Sequence, residues 1–247
     1  MRAIRDNCYT YSMNLIFLDT ETTGNDLKKD RLCQVCYKTA AGIKVGYFKP
    51  PIPVSVKSMS ITHITNKMLE HKQAFKESAF RHELEKELEN GVLVAHNAKF
   101  DVAMLESEGV KVPKFICTLR LARYVDEKNS IPEYNLQFLR YYLELEVEGN
   151  AHDAEGDVQV LYAIFNRLHS KIKETVPDEN QSIEKMIEIS ARPSLFSQFN
   201  FGKYKDKRLD EVVKMDRGYL EWLLNQKKTA GGDDEDWIYT LKHHLGV

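Results

Sequence analysis

Two acidic residues separated by one position, Asp19 and Glu21, stand at the end of the first apolar segment of the chain. Residues two apart on a β-strand project from the same face, so a strand here presents both carboxylates side by side. Adjacent like charges at the end of a buried strand are costly unless a cation neutralises them. Oxygen ligands favour a hard cation such as Mg²⁺ or Mn²⁺ over zinc. The pair therefore indicates a metal site, with a helix cap or a solvated strand end as the alternative.

Two later segments add acidic residues and a histidine. Asn97 follows an apolar strand-like run and is suited to N-cap a helix, which puts Asp101 in the first helical turns, near the same sheet edge as Asp19. Asp157 opens a later helix, and His152 belongs to the loop before it. These positions predict four carboxylates and one imidazole at one edge of the sheet.

Three short motifs contain these residues. They are Asp19-Thr20-Glu21-Thr22-Thr23-Gly24, His96-Asn97-x-x-Phe100-Asp101 and His152-Asp153-Ala154-x-x-Asp157. In this order they resemble the motifs of the DEDDh family of 3′ to 5′ exonucleases, related to the polymerase III epsilon subunits, over about residues 14–171. The histidine five residues before the last aspartate is similar to that of the family's His branch.

The resemblance implies a two-metal phosphodiesterase that releases nucleoside 5′-monophosphates from a 3′ end. In that reaction Asp19, Asp101 and Asp157 hold two Mg²⁺ or Mn²⁺ ions, which clamp the attacking and leaving oxygens. Glu21 is a further ligand that also orients the attacking water. His152 takes the proton of that water at neutral pH.

The same resemblance indicates where the terminal nucleotide binds. It implies a nucleotide-contacting histidine at His63, and Phe100 offers an apolar face for stacking. Thr20 and Thr22 lie beside the carboxylates and could bind the nucleotide through their N–H groups or hydroxyls. The alternatives are core or cap roles for His63, core packing for Phe100, and ordinary strand-end hydrogen bonds for the threonines.

The elements that must position these residues follow from periodicity and turn chemistry. An antiparallel meander comes first, then a proline-rich loop over 50–60, and then strands that alternate with helices, which indicates parallel pairing. The predicted strands are 14–22, 31–39, 43–49, 92–95 and 115–117; the predicted helices are 66–89, 98–108, 119–125, 135–143 and 153–171. The resemblance and this order predict an α/β fold: a ribonuclease H-like mixed sheet flanked by helices.

The chain divides into a large and a small part. We predict an N-terminal extension over 1–13, an exonuclease domain over 14–173, a linker over 174–195 and a small C-terminal module over 196–247. The module resembles the C-terminal region of exodeoxyribonuclease X-type enzymes over about 199–245, which favours DNA as the substrate.

The module interleaves aromatic and basic residues. Its cations can bind phosphates, and Tyr204 can stack on a base or pack inward. For the other aromatics we predict a small hydrophobic core with the cations as its solvated rim. The cations are Lys203, Lys205, Lys207 and Arg208, and the core residues are Phe201, Tyr219, Trp222 and Leu223.

The composition limits the classes of partner and the cellular location. The 247 residues include 35 basic and 37 acidic ones, for a formal charge of −2, so bulk charge recruits neither nucleic acid nor membrane. Apolar runs are too short for a membrane span, and the N-terminus lacks the apolar stretch of a signal peptide. Four cysteines are too few for a disulfide framework. We expect a cytoplasmic protein without a membrane partner.

Three functions fit these features. The first is a DNA exonuclease that acts on single-stranded or duplex 3′ ends in repair or DNA turnover. The second is an RNA-trimming or proofreading exonuclease, because the active site alone does not reveal whether a 2′-OH is tolerated. The third is a non-catalytic nucleic-acid or replisome adaptor, which has no need of four converging carboxylates. The sequence does not indicate which proteins bind it.

Overall fold

The computed structural model describes residues 13–127, 129–147, 154–229 and 234–247. It divides into two compact units. The first runs to Val125 and resumes over Glu133–Ala191, and the second contains Asp126–Pro132 and Arg192–Val247. Almost all of the predicted N-terminal extension lies outside the described residues, and so does His152.

The first unit contains a five-stranded mixed sheet with the order β3-β2-β1-β4-β5. The first three strands form the predicted antiparallel meander, and β4 and β5 continue the sheet in parallel from β1. The strands are β1 (Asn14–Thr22), β2 (Leu32–Thr39), β3 (Gly42–Tyr47), β4 (Gly91–Ala95) and β5 (Phe115–Cys117). The mixed sheet with flanking helices confirms the predicted fold class.

Eight helices accompany this sheet in the described part of the first unit. They are α1 (Val56–Thr62), α2 (Asn66–Leu69), α3 (Ala79–Glu89), α4 (Ala98–Ser107), α5 (Thr118–Val125), α6 (Leu136–Tyr142), α7 (Ala154–Lys173) and α8 (Glu179–Ala191). Both faces of β1 are buried. Phe17 packs edge-on against Phe165 of α7, with ring centroids 5.1 Å apart, while Ile16 and Leu18 join the core that contains Leu84 of α3.

Two segments differ from the sequence prediction, each because of a local interaction. The proline-rich loop gives way to α1, whose first turn is capped by the Ser55 hydroxyl. The predicted helix over 66–89 is divided into α2 and α3, because Phe75 is buried in a 3₁₀ turn and Ser78 caps a new helix. Helix α8 lies within the segment assigned as a linker and ends at Ala191, where the sequence predicts a helix break; it buries Ile183 and two other apolar residues at helical spacing, Met186 and Ile189.

The second unit is a small helical unit with its own core. Its helices are α9 (Leu209–Met215), α10 (Arg217–Thr229) and α11 (Glu235–Leu245). Phe199 is fully buried and stacks on Trp237, with ring centroids 5.4 Å apart. In neither unit do the described helices combine the length and apolar character that a bilayer span needs.

Candidate active site

Three carboxylates meet where β1 faces α7. Ligand oxygens of Asp19, Glu21 and Asp157 all lie within 4.8 Å of one another; Asp157 is buried and the other two are half-buried. Strand alternation brings the three carboxylates together. Phe17 packs on α7, and Asp19 and Glu21, two and four residues later, project from the same face of β1. A divalent cation would compensate such a cluster of like charges, and the all-oxygen donors suit a hard one.

Asp157 is oriented by a residue that the sequence analysis missed. The Gln137 side chain on α6 donates a hydrogen bond from Nε2 to Asp157 Oδ1 at 2.5 Å. Arg140, one turn later, donates to Gln137 Oε1 at 3.4 Å. Such partners restrict the orientation of a metal-binding carboxylate. No sequence signal marks Gln137, because the apolar spacing of α6 indicates only packing.

Asp101 lies outside this cluster of three. It is buried on α4, and its Oδ1 accepts a hydrogen bond from the Thr20 hydroxyl at 2.7 Å. Thr20 alternates with Asp19 and Glu21 along β1, so its side chain projects from the opposite face of the strand. Burial raises the pKa of Asp101 to about 7, and the Thr20 hydrogen bond opposes that shift.

The turn before Asp101 is held by His96 and Asn97. Asn97 adopts the left-handed conformation (φ 64°), which asparagine tolerates, and its side chain makes no capping hydrogen bond. The predicted N-cap interaction is therefore wrong, although α4 begins at the next residue. The His96 ring donates from Nε2 to the Tyr134 carbonyl at 2.7 Å and accepts the Thr118 hydroxyl at Nδ1 at 2.9 Å.

This buried histidine leads to a pH prediction. Burial, with a smaller contribution from Arg123, lowers the pKa of His96 to about 4. Between about pH 6.5 and 4 the unfolded chain therefore binds a proton that the folded chain does not. We expect His96 to cost up to about 3 kcal/mol of folding stability as the pH falls through this window, and nothing above it.

Urea unfolding of the wild type and of His96→Gln at pH 7 and pH 4.5 measures this effect. The variant cannot titrate at this position, so its stability should fall less between the two pH values. His243→Gln, which removes an exposed histidine instead of a buried one, is the matched control. Parallel curves for the wild type and His96→Gln would contradict the prediction.

The predicted nucleotide contacts are distributed around β1. Thr20 and Thr22 are buried, and the Thr22 hydroxyl donates to the Gly24 carbonyl at 2.6 Å, so both side chains already have protein partners. His63 is exposed, and its backbone adopts the left-handed conformation that ends α1. Phe100 is half-buried against the core. His63 is thus the most accessible of the four side chains for a nucleotide.

The four predicted phosphate-binding cations differ in their surroundings. Lys203 pairs with Asp216 at 3.0 Å, and Arg208 pairs with Asp210 at 3.0 Å. Lys205 and Lys207 are exposed and form no ion pair with the described residues. The latter two are therefore the cations that remain available to a phosphate.

Known protein families match both parts of the chain. The Exonuclease family matches residues 16–165, and the exodeoxyribonuclease X-like C-terminal family matches residues 199–228. Exodeoxyribonuclease 10 of Escherichia coli (strain K12) is 31% identical over 198 residues, which are 80% of this chain and 82% of that protein. DNA polymerase III subunit epsilon of Treponema pallidum (strain Nichols) is 32% identical over 197 residues, 73% of this chain and 90% of that protein.

Solved structures share the fold. Exonuclease X in complex with 5′ overhanging duplex DNA aligns with a TM-score of 0.55 and 23% identity, over 71% of this chain and 99% of that one. Exonuclease I of E. coli in complex with single-stranded DNA aligns with a TM-score of 0.57 and 20% identity, over 70% of this chain and 43% of that one. The chain belongs to the exonuclease family of divalent-metal-dependent 3′ to 5′ phosphodiester hydrolases, and its C-terminal region is of the exodeoxyribonuclease X type.

Proposed function

We propose that this protein hydrolyses DNA from its 3′ end, single-stranded or duplex, and releases nucleoside 5′-monophosphates. The observation that carries the proposal is the cluster of Asp19, Glu21 and Asp157 at the β1–α7 contact. DNA as the substrate is supported by the name of the E. coli relative, an exodeoxyribonuclease, and by the DNA in both solved complexes. A role in DNA repair or turnover would follow from that activity.

The donor set fits two Mg²⁺ or Mn²⁺ ions. Asp19, Glu21 and Asp157 provide closely spaced carboxylate oxygens, and Gln137 restrains the last of them. Asp101 is the fourth proposed ligand; a neighbouring divalent cation would favour its charged form against the effect of burial. When bound, the ions neutralise the charge that develops on the attacking and leaving oxygens.

Side chains of this protein orient the attacking water, accept its proton and contact the nucleotide. Glu21 accepts a hydrogen bond from the attacking water and so orients it towards the phosphorus. His152 accepts the proton of that water, a role for which a histidine pKa near 6.5 is suited at neutral pH. His63 and Phe100 contact the terminal nucleotide, and Thr20 and Thr22 flank it beside the carboxylates, with their hydroxyls held by protein partners.

The cytoplasmic location predicted from the sequence is part of this proposal. It is supported by the thiols of Cys33, Cys36 and Cys117, which are free and buried, as is usual in a reducing compartment.

Digestion of end-labelled oligonucleotides tests the proposal. DNA and RNA of one sequence, each labelled in the 3′-terminal nucleotide, are incubated with the full chain in Mg²⁺, in Mn²⁺ and in EDTA. We expect labelled deoxynucleoside 5′-monophosphate from DNA, in metal only, and a slower reaction on RNA. Faster digestion of RNA would favour the RNA-trimming alternative. Binding of both substrates without any cleavage would contradict the exonuclease proposal and favour the non-catalytic adaptor function.

A further inference from the structure

An exposed tryptophan stands on the surface of the second unit. Trp222 of α10 is 54% exposed, so the prediction that it belongs to the small core is wrong. It sits on the exposed side of α10, whereas Leu223 and Leu224 face the core. Its ring lies against Tyr219, with centroids 5.6 Å apart, which restricts its orientation. A large aromatic face held in place and open to solvent is suited to stacking on a planar ligand.

A cationic loop over residues 202–208 lies next to the aromatic pair formed by Tyr219 and Trp222. The backbone of Gly202 is in the left-handed conformation (φ +71°). Gly202 lies so close to Tyr219 that a Cβ added there would be 2.8 Å from the Tyr219 hydroxyl, so this loop packs against Tyr219. The Tyr204 ring is 5.0 Å from that of Tyr219, and its hydroxyl donates to Asp216 at 2.6 Å. These contacts anchor the loop, which then presents Lys205 and Lys207 to solvent.

The helix surface around Trp222 carries little negative charge. The neighbours one turn away, Gly218, Asn225 and Gln226, are exposed and uncharged. The adjacent Glu221 pairs with Arg217 at 2.9 Å, which compensates its charge. The exposed Lys205 and Lys207 and the open indole together favour a polyanion with planar aromatic groups over a basic or purely apolar partner.

We propose that Trp222 and the two loop lysines form a binding site for single-stranded nucleic acid. An unpaired base stacks on the Trp222 indole, and Lys205 and Lys207 bind the phosphates beside it. Base stacking tolerates any sequence, as an exonuclease substrate requires. The proposal deepens the proposed function and rests on it only for the identity of the ligand.

Tryptophan fluorescence provides the test. The chain has two tryptophans, and Trp237 is only 7% exposed, so Trp222 dominates any quenching by a ligand. The full chain is titrated with an oligothymidylate in EDTA, which prevents hydrolysis. We expect quenching in the wild type. The affinity of the variants, which lack this reporter, is read from the fluorescence anisotropy of a dye-labelled oligothymidylate, and it should fall about tenfold for Trp222→Leu and stay near the wild-type value for Trp222→Phe. Tyr239→Leu, which removes another exposed aromatic from this unit, should bind as the wild type does.

The salt dependence of binding tests the lysines. Lys205→Ala and Lys207→Ala should each reduce the slope of log affinity against log salt by about 0.7, as expected for one phosphate contact on a single strand. The exposed Lys242 lies on α11, and Lys242→Ala should leave the slope unchanged. An equal effect of all three variants would show nonspecific attraction and would overturn the assigned phosphate contacts.

Three results would overturn the site as a whole: no quenching, wild-type affinity in Trp222→Leu, or equal affinity for a relaxed circular duplex, in which all bases are paired. Self-association that Trp222→Leu abolishes would also overturn it, since a second copy would then cover the tryptophan. Digestion in Mg²⁺ is measured separately. Digestion without quenching refutes this site alone, and quenching without digestion refutes the proposed exonuclease function.

Discussion

Asp157→Asn is expected to lower the rate of DNA hydrolysis by at least about a thousandfold, because the metal ions that Asp157 helps to hold contribute several kcal/mol to the stabilisation of the transition state. The substitution keeps the shape of the side chain and an oxygen that can accept the Gln137 hydrogen bond. It removes one negative charge from a cluster of three. The loss should therefore reflect weaker metal binding and not a change of fold.

Two measurements separate these causes. Calorimetric titration with Mn²⁺ should show weaker binding by Asp157→Asn, and the rise in melting temperature on adding Mn²⁺ should shrink. Without metal the variant should melt at or above the wild-type temperature, because repulsion between the carboxylates is reduced. Glu155→Gln removes the same charge from an exposed position of the same helical turn and should behave as the wild type. Wild-type Mn²⁺ affinity in Asp157→Asn would refute the assignment.

His152→Ala is expected to lower turnover by about 10²- to 10⁴-fold, the usual contribution of a general base. Mn²⁺ affinity and DNA affinity should stay close to those of the wild type, because the histidine is proposed to handle a proton and to bind neither metal nor nucleotide. The fall in wild-type rate below about pH 6.5 should disappear from the residual activity of the variant.

His71 offers a control for this experiment. It is exposed in the turn after α2, and His71→Ala should retain wild-type turnover and pH dependence. Near-normal turnover of His152→Ala would remove the histidine from the mechanism. A parallel loss of Mn²⁺ affinity would instead assign it to the metal site.

Much of the first unit follows from local patterns in the sequence. Apolar runs bounded by turn residues predict all five strands to within two residues at each end, because short runs rich in β-branched and aromatic residues favour strands. Strand alternation also predicts that Asp19 and Glu21 share a face, and the three motifs suffice to identify the family. These properties depend on residues that are close together in the sequence.

Other features depend on contacts between distant segments. The face of β1 that packs on α7 brings Asp157 to Asp19 and Glu21, while Asp101 meets Thr20, which lies between those two residues on β1. Motif order alone does not distinguish these two arrangements. The hydrogen bond from Gln137 likewise requires α6 to pack against α7.

The second unit shows the same division. The sequence predicts a small core of Phe201, Tyr219, Trp222 and Leu223, and Leu223 is indeed buried in one against which Phe201 and Tyr219 pack. Apolar character does not reveal which aromatic is left outside, and Trp222 is exposed because its neighbours Leu223 and Leu224 take the buried face of α10. The sequence by itself therefore determined the family, the strands and the acidic motifs, which depend on local spacing. Tertiary packing decided which carboxylates meet and which aromatic faces solvent, because those outcomes depend on the faces that distant elements bury.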